Sequence, residues 1–63
     1  MNFQDIKSHL LQPGTQSLGN EAADWQIVKR SDGVLLQYRL GKYKYYNNIQ
    51  ALALAAWYRV KNG

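Results

Sequence analysis

Cysteine is absent, so the chain can build neither a disulfide nor a thiolate metal site. It has one proline, one histidine and only four acidic residues. Asp5, Glu21, Asp24 and Asp32 fall at a helix start, in a loop, at a loop end and in a turn, so no two carboxylates are paired for acid–base work. His9 would have to serve any serine or threonine with no orienting acid placed by spacing. The five glycines stand singly and form no phosphate-cradling motif. No apolar run approaches the ~20 residues of a membrane span, and no basic-plus-apolar leader opens the chain. These absences lead to the expectation of a cytoplasmic, non-enzymatic protein with no cofactor, no metal and no membrane attachment.

What is present suits one small folded domain over residues 1–63, with 46% hydrophobic and 19% charged residues. The formal charge of +4 is unevenly spread. Residues 1–24 hold Lys7 against three acids, a net of −2, whereas residues 25–63 hold seven cations against Asp32 alone, a net of +6. A contiguous basic segment favours a polyanionic partner through long-range attraction; a surface charge that serves only solubility is the alternative.

Asn2 to Gln12 reads as a short amphipathic helix, with Phe3, Ile6, Leu10 and Leu11 on one stripe and Asn2 as its cap. Gln12-Pro13-Gly14 ends it, because proline cannot donate and disfavours helical geometry in the residue before it. His9 lies beside the stripe and reads as a surface residue. Pro13 to Asp24 reads as a loop, either with a helical turn near Asn20–Ala23 or as a flexible arm.

Trp25–Arg30 and Val34–Leu40 are two runs of strand formers around Ser31-Asp32-Gly33. Asp-Gly in a two-residue type I′ turn predicts a hairpin that sets Trp25 opposite Leu40 and Ile27 opposite Tyr38. In that register Trp25, Ile27, Leu36, Tyr38 and Leu40 form the buried face. Gln26, Val28, Arg30, Leu35, Gln37 and Arg39 form the open one. A second turn at Gly41-Lys42 would add Tyr43–Tyr46 as a third strand, bringing Lys44 and Tyr46 to the open face; an irregular lead-in to the last helix is the alternative. Asn47 or Asn48 caps an alanine-rich helix running to about Asn62-Gly63. Its face of Ile49, Leu52, Ala53, Ala56 and Val60 suits the sheet, while Leu54, Trp57 and Tyr58 project elsewhere. The expected fold class is α+β: an N-terminal helix, a two- to three-stranded antiparallel sheet and a C-terminal helix, with both helices on one face of the sheet.

The open face is then the candidate site. Arg30, Arg39 and Lys44 supply cations for phosphate, Gln26 and Gln37 supply amides for base edges, and Tyr46 offers a ring for stacking. Duplex DNA is the expected partner, since β-ribbons enter the major groove. Solvated Lys, Arg and Gln are also ordinary on a sheet face left to water. The second reading is a protein-interaction module, a small inhibitor or adaptor, that meets an acidic protein surface with the same face or uses Leu54, Trp57 and Tyr58. A homodimer is a possible form of it. Leu40-Gly41-Lys42-Tyr43 followed by Ala53, Ala55 and Ala56 resembles the end of AP2-type plant and integrase arm-binding domains. That likeness implies a three-stranded sheet on DNA with a helix behind it. In that family, however, the Leu-Gly pair ends the last strand, and its Arg-Gly-Val opening is missing here, so the likeness assigns no membership.

Overall fold

The computed structural model describes residues 1–62, the side chain of Glu21 excepted. Helix α1 spans Phe3–Leu11, β1 Gln16–Asn20, a 3₁₀ turn Glu21–Ala23, β2 Trp25–Lys29, β3 Leu35–Arg39, β4 Lys42–Tyr46 and α2 Ile49–Asn62. The strands form one antiparallel sheet in the order β1-β2-β3-β4. The α+β class and the two helices packed on a sheet match expectation, but there are four strands where two or three were expected.

Both helices begin on asparagine caps. Asn2 accepts from the Asp5 amide at 2.9 Å while the Asp5 carboxylate accepts from the Asn2 amide, a reciprocal box that satisfies two open donors of α1. Asn48 accepts from the Ala51 amide at 2.8 Å and starts α2. The expected C-terminal limit at Gly63 lies outside the described residues.

The segment after Pro13, expected to be a loop, contains β1. Its one large apolar residue, Leu18, lies opposite Ile27 and packs against the core. Side-chain hydrogen bonds help to fasten this segment to its surroundings. The Lys29 ammonium donates to the carbonyls of Gln12 and Gly14, the second at 2.6 Å. His9 Nε2 donates to the Ser17 carbonyl at 2.8 Å, which requires the proton on that nitrogen because a carbonyl only accepts. The helical turn foreseen near Asn20–Ala23 is the 3₁₀ turn, capped by Asn20, whose side chain accepts from the Ala23 amide at 2.9 Å.

The β2–β3 register differs from expectation by one residue. Ser31, Asp32 and Gly33 form a three-residue loop: the Gly33 amide donates to the Arg30 carbonyl at 2.9 Å, and the Arg30 amide to the Val34 carbonyl at 2.8 Å. Gly33 has φ +92° while Asp32 keeps a negative φ. This is a type I turn closed by a glycine bulge, an alternative hairpin that the same Asp-Gly pair serves. Trp25 therefore faces Arg39, Ile27 faces Gln37 and Lys29 faces Leu35. Because side chains alternate with period two, the one-residue slip exchanges the two faces of β3 relative to β2.

Ile27 and Leu35 are buried on the same side of the sheet. They join Ile6 and Leu10 of α1 and Leu52, Ala53 and Ala56 of α2 in one cluster. Both helices thus lie on that side. Leu36, Tyr38 and Leu40, expected in the core, are on the far face or in the next turn, and Leu40 is 63% exposed. Leu11 at the end of α1 and Val60 late in α2 are also exposed.

Candidate nucleic-acid interface

β3 and β4 are joined by Leu40 and Gly41, with φ of +52° and +81°. Two successive left-handed residues make a type I′ turn, whose twist matches that of the flanking strands. The expected turn at Gly41-Lys42 is thus one residue earlier, and Arg39 pairs with Lys42, Gln37 with Lys44 and Leu35 with Tyr46. Leu35 is core, so the residues two and four positions beyond it, Gln37 and Arg39, share its side of the sheet, as do Lys42, Lys44 and Tyr46 across the ladder. The helices roof the Leu35 end of this surface. At the hairpin end Arg39, Lys42 and Lys44 are exposed.

The last turns of α2 complete the site. Gln37, Arg39, Ala55, Tyr58, Arg59 and Asn62 line a depression of about 240 Å³ between helix and sheet. It adjoins a second, of about 390 Å³, lined by Gln37, Arg39, Lys42, Tyr43 and Lys44. Arg39, Lys42, Lys44 and Arg59, from β3, β4 and α2, thus line two adjoining depressions that share Gln37 and Arg39, a groove with no acid in its lining. Among the described residues the one ion pair is elsewhere, between Arg30 and Asp32 at 2.7 Å. Arg39 directly across from Lys42 is a like-charge pair that costs a few tenths of a kcal/mol or more.

Two polar contacts order the floor of the groove. The Tyr46 hydroxyl donates to Gln37 Oε1 at 2.6 Å, partly buried, which leaves the Gln37 amide NH₂ as the donor available to a ligand. The Lys44 ammonium lies 5.2 Å from the centre of the Tyr46 ring. Tyr46 is therefore a half-buried support that packs on the core, not a free stacking platform.

Of the six expected contact residues, Arg39, Lys44, Gln37 and Tyr46 come together, though on the helix-bearing side. Gln26 and Arg30 do not join them: the register sends both to the opposite face, and Arg30 is engaged by the Asp32 carboxylate. Lys42 and Arg59 were not foreseen as members. Lys42 is legible in principle, since it stands two residues before Lys44 in a strand, but the Gly41-Lys42 turn signal competes for it. Arg59 has no local signal, because only tertiary packing brings the end of α2 beside β3.

The face away from the helices carries Val28, Leu36 and Tyr38, with Tyr43 and Tyr45 on the outer strand β4. Its single cation is the paired Arg30. A DNA-facing sheet surface opposite the helix, as the AP2-type likeness implies, would have to be this uncharged one. The Leu40-Gly41 pair also leads into another strand instead of ending the sheet. Of the expected interaction residues on α2, Leu54 and Tyr58 are exposed, at 37% and 53%. Trp57 is half-buried, edge-on to Phe3 at 6.4 Å between centroids, with the Lys61 ammonium 4.7 Å over its ring. It joins α2 to α1 and is not a free contact.

Among the described residues no three of His, Asp and Glu are gathered as metal ligands, and no helix is long and apolar enough to cross a membrane. Comparison with family models, with curated proteins and with solved structures finds no match to this chain, so the reading of the groove rests on its own chemistry.

Proposed function

We propose that this chain is a small non-enzymatic nucleic-acid-binding module, in which Arg39, Lys42, Lys44 and Arg59 take phosphates. One observation carries the reading: four cations from three elements converge on a groove whose lining holds no carboxylate. Folding alone gains nothing from that convergence, since each added like charge opposes it. A polyphosphate removes the repulsion, and the cations condensed on its backbone are released as the cluster neutralises it. The Gln37 NH₂ in the groove floor suits an acceptor atom on a base edge or sugar. Entry of a flat basic sheet face into the major groove of duplex DNA loses its support, because the cations lie beside α2 and the uncovered face is uncharged. Contact with the phosphate backbone keeps its support.

The test is a salt titration with labelled oligonucleotides. Four phosphate contacts correspond to a slope of log affinity on log salt of about −3 to −4, depending on strandedness. Arg39→Glu removes one contact and repels the neighbouring phosphates. It should lower affinity at least tenfold and flatten the slope by about one, with the circular dichroism spectrum unchanged. Absence of binding at low ionic strength to both single strands and duplexes defeats the proposal.

A second reading, a protein-interaction module, is favoured by the uncharged open face and by the exposure of Leu54 and Tyr58. An acidic protein surface would use the same groove, and a second copy of the chain would use the apolar surfaces. Co-purification with and without nuclease separates the readings, because a nucleic-acid module loses its captured material on digestion.

A further inference from the structure

Besides Tyr58 of α2, the groove has Tyr43 in its wall, and the reason lies in the alternation of β4. Lys42 and Lys44 project to the helix side, whereas Tyr43 and Tyr45 project to the open side. β4 is the outer strand of the sheet, so among the described residues no further strand lies beyond it to separate the two sides. Tyr43 and Tyr45 are 61% and 69% exposed, and Tyr43 lines the same depression as Arg39, Lys42 and Lys44. Behind Tyr43 the ring of Tyr38 lies 5.4 Å away between centroids, which braces it.

Cations on one side of an edge and free aromatic faces on the other match a ligand with an anionic backbone and unpaired flat groups. A duplex offers the first and hides the second, because its bases are stacked on one another. The spacing agrees: residues two apart on a strand are about 6.6 Å apart. That is roughly twice the ~3.4 Å rise per nucleotide of a stacked strand. Two tyrosines so placed take successive bases only from a strand whose stacking has been opened.

We infer that the ligand is a single-stranded nucleic acid, laid over the β4 edge with phosphates on Arg39, Lys42 and Lys44 and bases stacked on Tyr43 and Tyr45. This rests on the nucleic-acid reading above and narrows it to unpaired strands. Stacking of this kind is tolerant of sequence, so affinity follows strand exposure more than base identity.

The test is fluorescence anisotropy on the full chain at fixed ionic strength, with labelled oligo-dT, oligo-U and a duplex of the same length. The expected result is single-strand binding at least tenfold tighter than duplex binding, and preference between the two single strands tells DNA from RNA. Tyr43→Ala and Tyr45→Ala should each weaken single-strand binding by about 5- to 100-fold, with the salt slope unchanged. Tyr43→Phe should retain it, since the ring face and not the hydroxyl makes the contact. Lys44→Gln should instead flatten the salt slope. Duplex binding as tight as single-strand binding, or Tyr43→Ala and Tyr45→Ala without effect in a chain of unchanged circular dichroism, overturns the inference and leaves the phosphate-binding reading standing. Failure of all three probes to bind at low salt removes that reading as well.

Discussion

Alanine at Leu35 and, separately, at Leu36 reads out which side of β3 meets the helices. Leu35 is 8% exposed and packs in the cluster of Ile6, Leu10, Ile27, Leu52, Ala53 and Ala56. Its truncation removes buried methyl groups and leaves a cavity that the rigid sheet cannot close, a cost of about 3 kcal/mol. Leu36 is half-buried on the far face between the cross-strand partners Val28 and Tyr45. Its truncation loses two pair contacts worth together about 1 kcal/mol. A chain of this length has a total stability of only about 3–9 kcal/mol. Leu35→Ala should therefore lower the melting temperature by about 12–24 °C or leave the chain unfolded, against roughly 4–8 °C for Leu36→Ala. Thermal unfolding followed by far-ultraviolet circular dichroism measures both, and urea titration checks that the m-value is unchanged. Equal costs, or a larger cost at Leu36, would refute the register and with it the placement of Arg39, Lys42 and Lys44 in one groove with Arg59.

Gly19→Ala should cost about 2 kcal/mol or more. Its φ is +79° and an added Cβ would lie 2.8 Å from the Trp25 ring. Gly33→Ala, at φ +92° with open space around it, serves as control at about 1 kcal/mol in the same urea titration. Similar costs at the two sites would show that Trp25 does not pack over Gly19. Deletion of Ser31 should be tolerated to within about 1 kcal/mol. It leaves Arg30 beside Val34 and converts the loop into a two-residue Asp-Gly turn, losing the bond from the Ser31 amide to Thr15 Oγ1. Loss of folding on that deletion would contradict the three-residue loop.

The helices were legible because their signals are local. The Asn2–Asp5 box, the Phe3, Ile6 and Leu10 spacing and the stop at Pro13 act within a few turns of chain, as do the Asn48 cap and the alanine run of α2. β1 was not legible, since Gln-Ser-Leu-Gly-Asn has one large apolar side chain and a glycine, and becomes a strand by pairing with the edge of β2. The hairpin was legible but its register was not. Val34, Leu35 and Leu36 are consecutive apolar residues, so the run fits the core with either parity. The better alternation of Leu36, Tyr38 and Leu40 favoured the wrong one. Tyrosine tolerates water, and Tyr46 from the fourth strand supplies core contact in place of Tyr38. Arg39, Lys44, Gln37 and Tyr46 share a face in either register, because the β3–β4 pairing differs from expectation by two residues, which preserves the face.

The same parity explains why the cations form a groove and not a flat patch. Arg39, Lys42 and Lys44 lie on the side that Leu35 and Ile27 commit to the helices, but beyond the part that α1 and α2 cover. An inward-facing yet unroofed surface must be wet, so it is polar. The side of α2 stands next to it as a wall, bringing Arg59 and Tyr58 to its edge. The opposite face, freed from the core, keeps Tyr43 and Tyr45 in solvent. One residue of loop length between β2 and β3 decides which of these two surfaces adjoins the helix. A two-residue Asp-Gly turn in the unaltered chain would bury the tyrosines and spread the cations over an open plane, with no wall to gather them. The binding chemistry proposed for this chain therefore depends on how Ser31, Asp32 and Gly33 close the hairpin, far along the strand from the groove itself.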